Sequence, residues 1–495
     1  MSKKNQNYTN RKQNRFQPER MRGNVFVNNS GKQWLPGENG RAAKVERLLR
    51  GAKEEKKEIA GNMAGYKNSG VEWIGAIPEG WNVSKVKHET SFIGSGTTPR
   101  SGCLSFYENG TIPWIQSGDL YETSEVTDTK QKITAEALRS SSALKVYDKD
   151  FIAMAMYGSI GNIAISRIAA CVNQACCCLR PNSKNNLNYM YYFLKTSTDN
   201  FKSKAMGAVL QNISQEKIKK QDFLVPPLHE QQRIADFLDT KCDILDRTID
   251  AVSRQIEDLE KYKRALITKT VTKGICKKGE PERAMKDSGV EWIGEVPEEW
   301  SVKPFKALAG MKGSSEYTAR DIVDEGEGAI LLSPSNINDN KLNLSKRTYI
   351  SQKKYDKSTT KIQRGDLLFT KTASVGKCVI YDSDEPAMPN PQLVVLKNIK
   401  CLPKFLYYSM VSDVMQEPAK MYIYGSVIPT ISQLNLGRIK IPVPSPEEQQ
   451  QIADYLDEKC KNIDNRVQKR KQQLEWLKEY KKSLIFDYVT GKKRV

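Results

Sequence analysis

The stretch SGVEWIG occurs at Ser69–Gly75 and again at Ser288–Gly294, and no other feature limits the possible folds so tightly. The copies extend to SGVEWIGAIPEGWNVSKVK and SGVEWIGEVPEEWSVKPFK, with an offset of 219 residues. A second pair follows downstream, PPLHEQQRIADFLDTKCDILD from Pro226 and PSPEEQQQIADYLDEKCKNID from Pro444, with an offset of 218. Stacked solenoid repeats recur about every 20–50 residues, so a period this long means duplicated domains. Each unit reads as a tryptophan phrase, a middle segment, an EQQ phrase and then a long helix.

The helices carry a seam. From Ala235 the apolar positions are Leu238, Cys242, Leu245, Ile249, Val252, Ile256, Leu259 and Leu266, interrupted at Lys263. The second copy, from Ala453, repeats it as Leu456, Cys460, Ile463, Val467, Leu474, Leu477 and Leu484, interrupted at Lys481 and once more at Arg470. Alternating steps of four and three are the heptad pattern of a coiled coil. Two matching seams in one chain predict that the helices pack on each other; the alternative is that each seam packs on its own globular domain. A helix of about 37 residues is on the order of 55 Å long, which predicts a rigid spacer holding two globular units apart.

Between the shared phrases the residues diverge on a common skeleton. FIAMAMYGSIGNIAI from Phe151 parallels LLFTKTASVGKCVI from Leu367, with Ser159 opposite Ser374 and Gly161 opposite Gly376. IPWIQSGDL from Ile112 parallels AILLSPSNI from Ala329, and AMGAVLQNIS from Ala205 parallels YIYGSVIPTIS from Tyr422. Short β-type runs broken by glycine turns predict an α+β domain of mixed sheet and short helices in each unit.

The cysteines look like chemistry until their counterparts are read. CVNQACCCL lines up with MPNPQLVVL, placing Cys176–Cys178 opposite Leu393–Val395. Cysteine there serves as a small hydrophobe in a buried strand. His229 stands in HEQQR, without the second histidine of a zinc-protease helix, and its counterpart is Glu447. GSGTTPR from Gly94 is too short to hold a nucleotide, TASVGKCV lacks the first glycine and the hydroxyl of a phosphate loop, and no Asn-Pro-Pro-aromatic tetrad occurs. No set of residues assembles a nucleophile, a base and an oxyanion site, so the chain reads as a binder and not as an enzyme by itself. No metal site is expected.

Charge points to the partner. The formal net charge is +20, and charged residues make up 27% of the chain against 39% hydrophobic. This balance suits a polyanion such as nucleic acid; a solvated lysine-rich surface is the plainer reading. No apolar run reaches the length of a membrane span, and the N-terminus lacks the apolar core of a secretory signal, so a cytoplasmic location is expected. The first 62 residues hold 15 Lys and Arg against 6 Asp and Glu, which reads as a disordered extension or a nucleic-acid-binding arm.

The tryptophan-phrase starts (GVEWIGAIPEGW, GVEWIGEVPEEW), the glycine-turn strands (MYGSIGNIAI, TKTASVGKCVI), the two EQQ phrases and the seamed helices together resemble the specificity subunit of type I restriction-modification enzymes. The resemblance covers Met63 to about Gly491. It implies residues 1–62 as the basic extension, 63–217 as a first target recognition domain, 218–280 as a central long helix, 281–435 as a second target recognition domain and 436–495 as a C-terminal long helix. It also implies two long antiparallel helices forming a coiled coil, and an internal pseudo-twofold repeat. The family's partners are double-stranded DNA, read as an asymmetric bipartite site, two methyltransferase subunits, and restriction subunits in the full complex; no membrane is involved. No cofactor belongs to this chain, since S-adenosylmethionine, ATP and Mg belong to partner subunits. Another kind of duplicated nucleic-acid-binding scaffold, dimerising through a coiled coil, is the alternative. Polar residues beside the glycine-turn strands are the candidate DNA contacts: Thr97, Arg100, Tyr157, Ser159 and Gln211 in the first unit, and Lys371, Thr372, Ser374, Tyr424 and Ser426 in the second. Trp73 and Trp292 are expected to pack where sheet and helix meet.

Overall fold

The structure, a computed structural model, describes residues 65–157, 161–198, 213–275 and 283–495. The N-terminal extension, Ser159 and Gln211 lie outside the described residues. The chain forms two compact units, one ending at Ala235 and resuming at Phe486–Val495, the other Asp236–Ile485.

In the first unit the apolar run Phe151–Ala155 is buried at every position, as a strand with neighbours on both sides must be. It sits at the centre of a five-stranded sheet ordered Thr90–Ser95, Cys176–Pro181, Phe151–Ala155, Ile163–Ser166 and Glu125–Val126. The first four strands are antiparallel neighbours and the last pair is parallel. A smaller sheet orders Cys171–Val172, Ile112–Ile115 and Lys132–Ile133. The helix Leu187–Thr196 buries Tyr189, Met190, Phe193 and Leu194, and the Asn186 side chain caps it by accepting from Tyr189 N at 2.9 Å.

The second unit repeats this skeleton. The strands Gly310–Lys312, Leu393–Lys397, Leu367–Thr370 and Cys378–Ile380 form one antiparallel sheet. A second sheet orders Ile322–Val323, Tyr349–Ser351, Gly328–Leu332 and Ala387–Pro389. Cys176–Cys178 are fully buried, as are their counterparts Leu393–Val395. Burial alone pushes the Cys171 thiol up to about 11, and mainly burial pushes Cys176 up to about 12, so these thiols are packing groups and not nucleophiles.

The EQQ phrases prove to be brackets. The long helices α1 (Leu228–Lys273) and α2 (Pro446–Val489) each begin on one. Glu230 accepts the Trp81 indole N–H at 2.7 Å, and Glu448 accepts that of Trp300 at 2.8 Å. The next residue is buried in both copies and ties the helix to its globular domain. Gln231 accepts from Asn186 N at 2.9 Å and donates to Pro226 O at 2.9 Å. Gln449 accepts from Leu402 N at 2.8 Å and donates to Pro444 O at 3.0 Å. His229 and Glu447, one position earlier, are exposed.

Within the second unit α1 and α2 pack on each other as an antiparallel pair. The ion pairs Lys263–Asp464 (2.6 Å), Glu260–Lys471 (3.1 Å) and Asp246–Lys481 (2.6 Å) run in opposite directions along the two helices. Leu238, Cys242, Leu245, Val252 and Ile256 are buried in the seam of α1, with Ile249, Leu259 and Leu266 half-buried. Leu456, Cys460, Ile463, Val467, Leu477 and Leu484 are buried in α2, with Leu474 half-buried and Arg470 exposed. The two seam lysines are therefore not defects. Each meets an aspartate of the opposite helix, and the two pairs are related by the repeat, because Lys481 and Asp464 are the copies of Lys263 and Asp246.

The tryptophan phrases differ. Trp73 is half-buried against Phe193 (5.9 Å between ring centroids) and Phe486 (6.5 Å), where the sheet-covering helix meets α2. Trp292 is 36% exposed, contrary to the expectation from its identical surroundings in sequence. The copies of Phe193 and Phe486 are Ser409 and Thr268, so the two rings that cover the first tryptophan have no equivalent at the second.

Candidate nucleic-acid interface

Strand register decides which loops share a face. In the first unit Cys177 pairs with Ser95 and Cys176 with Ala155. The strands Thr90–Ser95 and Phe151–Ala155 therefore end side by side, and Thr97–Arg100 and Tyr157 leave the sheet at one edge. Thr97 uses its carbonyl to accept the Trp114 indole N–H at 3.3 Å, while Arg100 and Tyr157 are exposed. Thr98 meets Gln174 beside them, and Gln174 is a polar group at this edge that the sequence comparison did not single out.

In the second unit Lys312 pairs with Val395 and Thr370 with Leu393, so the same edge carries the loop starting at Lys371. Both edges include an asparagine turn. Asn173 accepts from Ala175 N at 3.1 Å, and Asn390 accepts from Gln392 N at 3.0 Å.

The glycine turn explains how the loop is held. Gly376 has φ +105, and a Cβ there would lie 2.5 Å from Oε1 of Gln416. Gln416 in turn donates to Gly376 O at 2.8 Å and to Met410 O at 2.7 Å. Gly161 has φ +93 and the same requirement, with the Thr198 side chain in place of Gln416. Only glycine accepts this backbone and this proximity together.

Five of the predicted contacts come together in the second unit. Ile431 N donates to Lys371 O at 2.9 Å and Ala373 N donates to Pro429 O at 2.8 Å. Tyr424 and Thr430 exchange backbone hydrogen bonds of 2.9 and 2.8 Å, closing a hairpin beside the loop. Lys371, Thr372 and Ser374 thus lie along the segment that carries Tyr424 and Ser426. Ala373 between them adopts φ +66, a conformation uncommon outside glycine and concentrated at functional sites. The first unit keeps one of these stitches: Ile213 N donates to Met156 O at 2.9 Å, and these residues are the copies of Ile431 and Lys371. The remainder of the corresponding first-unit segment, including Gln211, lies outside the described residues.

A hydroxyl, amide and lysine edge of this kind can supply donors and acceptors to base edges and cations to phosphates. Val427 and Ile428, at the hairpin tip, were not predicted, because apolar residues read from sequence as core. Among the described residues no group of three or more His, Cys, Asp and Glu is arranged to hold a metal, and no helix is long and apolar enough to cross a membrane.

Comparison with known proteins matches this arrangement. The family described as Type I restriction modification DNA specificity domain matches residues 78–261 and 297–476, once per copy of the repeat. The specificity subunit of the type I restriction enzyme MjaVIII from Methanocaldococcus jannaschii is 26% identical over 315 residues, 62% of this chain and 70% of the relative. That of EcoBI from Escherichia coli is 24% identical over 328 residues, 63% of this chain and 67% of the relative. A solved chain from work on complex assembly and conformational transition of the type I restriction-modification system superimposes with a TM-score of 0.64 at 16% identity, covering 84% of this chain and 99% of that one. Two matched domains, a shared fold and the duplicated frame place this chain in the family of type I restriction-modification DNA specificity subunits, the non-catalytic components of those enzymes.

Proposed function

We propose that each globular unit reads one half of an asymmetric, bipartite site on double-stranded DNA, and that the paired long helices set the length of the unspecified gap. The chain docks two methyltransferase subunits, which hold the S-adenosylmethionine, and restriction subunits with their ATP and Mg join in the full complex. The observation that carries this reading is a repeated frame, in which Glu230 holds Trp81 and Glu448 holds Trp300, around loops that differ in residue type at the same sheet edge. Two readers with one scaffold and different exposed groups suit two different half-sites. Thr97, Arg100, Tyr157, Ser159 and Gln211 belong to the first reader, and Lys371, Thr372, Ser374, Tyr424 and Ser426 to the second.

The test exploits the antiparallel pair. Removing seven residues from 249–262 of α1 and the repeat-related seven from 467–480 of α2 keeps both seams in phase and shortens the pair by about 10 Å. Mapping methylated bases across the host genome should then show a gap shorter by up to about three base pairs and unaltered half-sites. Altered half-sites with an unchanged gap would remove the ruler role.

A further inference from the structure

The hairpin Tyr424–Thr430 carries a contradiction. Val427 is 90% exposed and Ile428 58% exposed, and the flanking Tyr424 and Met421 are exposed as well. Isolated exposed apolar residues are ordinary, but a cluster on one rigid projection is not. The projection is rigid because both ends are stitched: Tyr424 to Thr430 across the hairpin, and Pro429 and Ile431 to the Lys371–Ala373 segment. Gly425 turns the chain with φ +91, and a Cβ there would lie 2.5 Å from Ile428 O. Two β-branched side chains are therefore held out in water with little backbone freedom.

We propose that this hairpin is a major-groove reading element in which Val427 and Ile428 pack against the 5-methyl groups of thymines in the half-site of the second unit. The inference rests on the reading of that unit as a DNA reader, and adds the chemistry by which it discriminates. The major groove is about 12 Å wide and admits a two-stranded ribbon, and thymine is the base that presents a methyl group there. The surroundings supply the rest of such a reader. Lys371 offers a cation, Thr372 and Ser426 offer hydroxyls, and all three lie on the same stitched loops. Lysine and hydroxyl groups serve guanine, adenine and phosphates, and the tip serves the thymine 5-methyl, which offers no hydrogen bond and is read by apolar contact.

The full-length chain, in the complex with which it purifies, is titrated with duplexes carrying its mapped site. One set replaces each thymine of the second half-site by uracil, and another scrambles that half-site. Uracil at a contacted position should weaken binding about fourfold per methyl group lost. The double variant V427A/I428A, whose short side chains no longer reach the methyl groups, should bind the thymine duplex correspondingly less well and respond little to uracil, while V427N/I428N, which places amides at the tip, should also lose the methyl preference. Indifference of the unaltered protein to uracil at every position, with scrambling still costly, would overturn the tip contact and leave the DNA-reading unit standing. Binding unaffected by scrambling would overturn both. A uracil penalty retained in the double variant, or loss of co-purifying subunits with DNA selectivity unchanged, would assign the tip to another surface and end the proposal.

Discussion

The first and second units share the brackets of their frame and differ in strand number, at the tryptophan of the repeated phrase and in the loops at the reading edge. Trp81 and Trp300 are buried and each holds the equivalent glutamate, while Trp73 and Trp292 share six identical neighbours in sequence and have different surroundings. Identity along the chain thus fixes a residue's role only where its spatial partners are also repeated. Where the partners drift, as from Phe193 and Phe486 to Ser409 and Thr268, the same residue loses its burial.

The comparison can be broken most directly at the frame. Trp81→Ala and Trp300→Ala should each destabilise their own unit by about 4 kcal/mol, since both remove a buried indole; Glu448 keeps its ion pair with Arg283 when Trp300 is lost. Denaturant unfolding followed by probes placed in each unit measures this, and unequal losses would show that the brackets are not equivalent. Next in size is the pair that should differ. Trp73→Ala should cost about 2–3 kcal/mol, and Trp292→Ala less than about 1 kcal/mol because its ring is partly solvated already. Similar costs would mean that a contact in the second unit replaces the missing rings.

A smaller effect is expected in the helix pair. Burial raises the Asp464 carboxyl, but the hydrogen bond and charge of Lys263, with those of Lys341, outweigh it and hold the group below its ordinary 3.8. A depressed native value stabilises the fold above the unfolded value, near pH 4, and the contribution disappears as pH falls through the native value. Lys263→Met should therefore cost about 1–2 kcal/mol near neutral pH, and should flatten the acid limb of the stability curve below about pH 4. An unchanged acid limb would locate the acid sensitivity elsewhere. Smallest of all, Cys177→Val, which installs the residue of the other copy, should change stability by less than about 1 kcal/mol. A larger loss would mean that the two sheets, alike in register, are not packed alike.

Much of this was legible in the sequence, and the pattern of what was not is instructive. The heptad seams, the buried cysteine strand and the glycine turns follow from periodicity and from the second copy, because both report directly on burial. The seam lysines read only as interruptions, since their partners Asp246 and Asp464 lie on the opposite helix and no local pattern connects them. The exposed Trp292 was hidden by the identity of its neighbours. Val427 and Ile428 were hidden because hydrophobicity predicts burial, and their exposure depends on a hairpin stitched to Lys371–Ala373, far upstream in sequence. The polar edge residues follow from their place beside the glycine-turn strands, which identifies a face but not the atoms that act.

The first unit includes Phe486–Val495, with Tyr66 donating to Gly491 O at 2.9 Å, Tyr189 to Val489 O at 3.2 Å and Trp73 resting on Phe486. Synthesis therefore delivers the parts out of order. The domain that emerges first lacks its closing segment until about 250 further residues have been added, roughly 10–50 s at ordinary elongation rates. During that interval the hairpin at Tyr66–Pro78 and the α1 seam wait for their partners in α2, so the ribosome-bound chain exposes apolar surface that the folded protein hides.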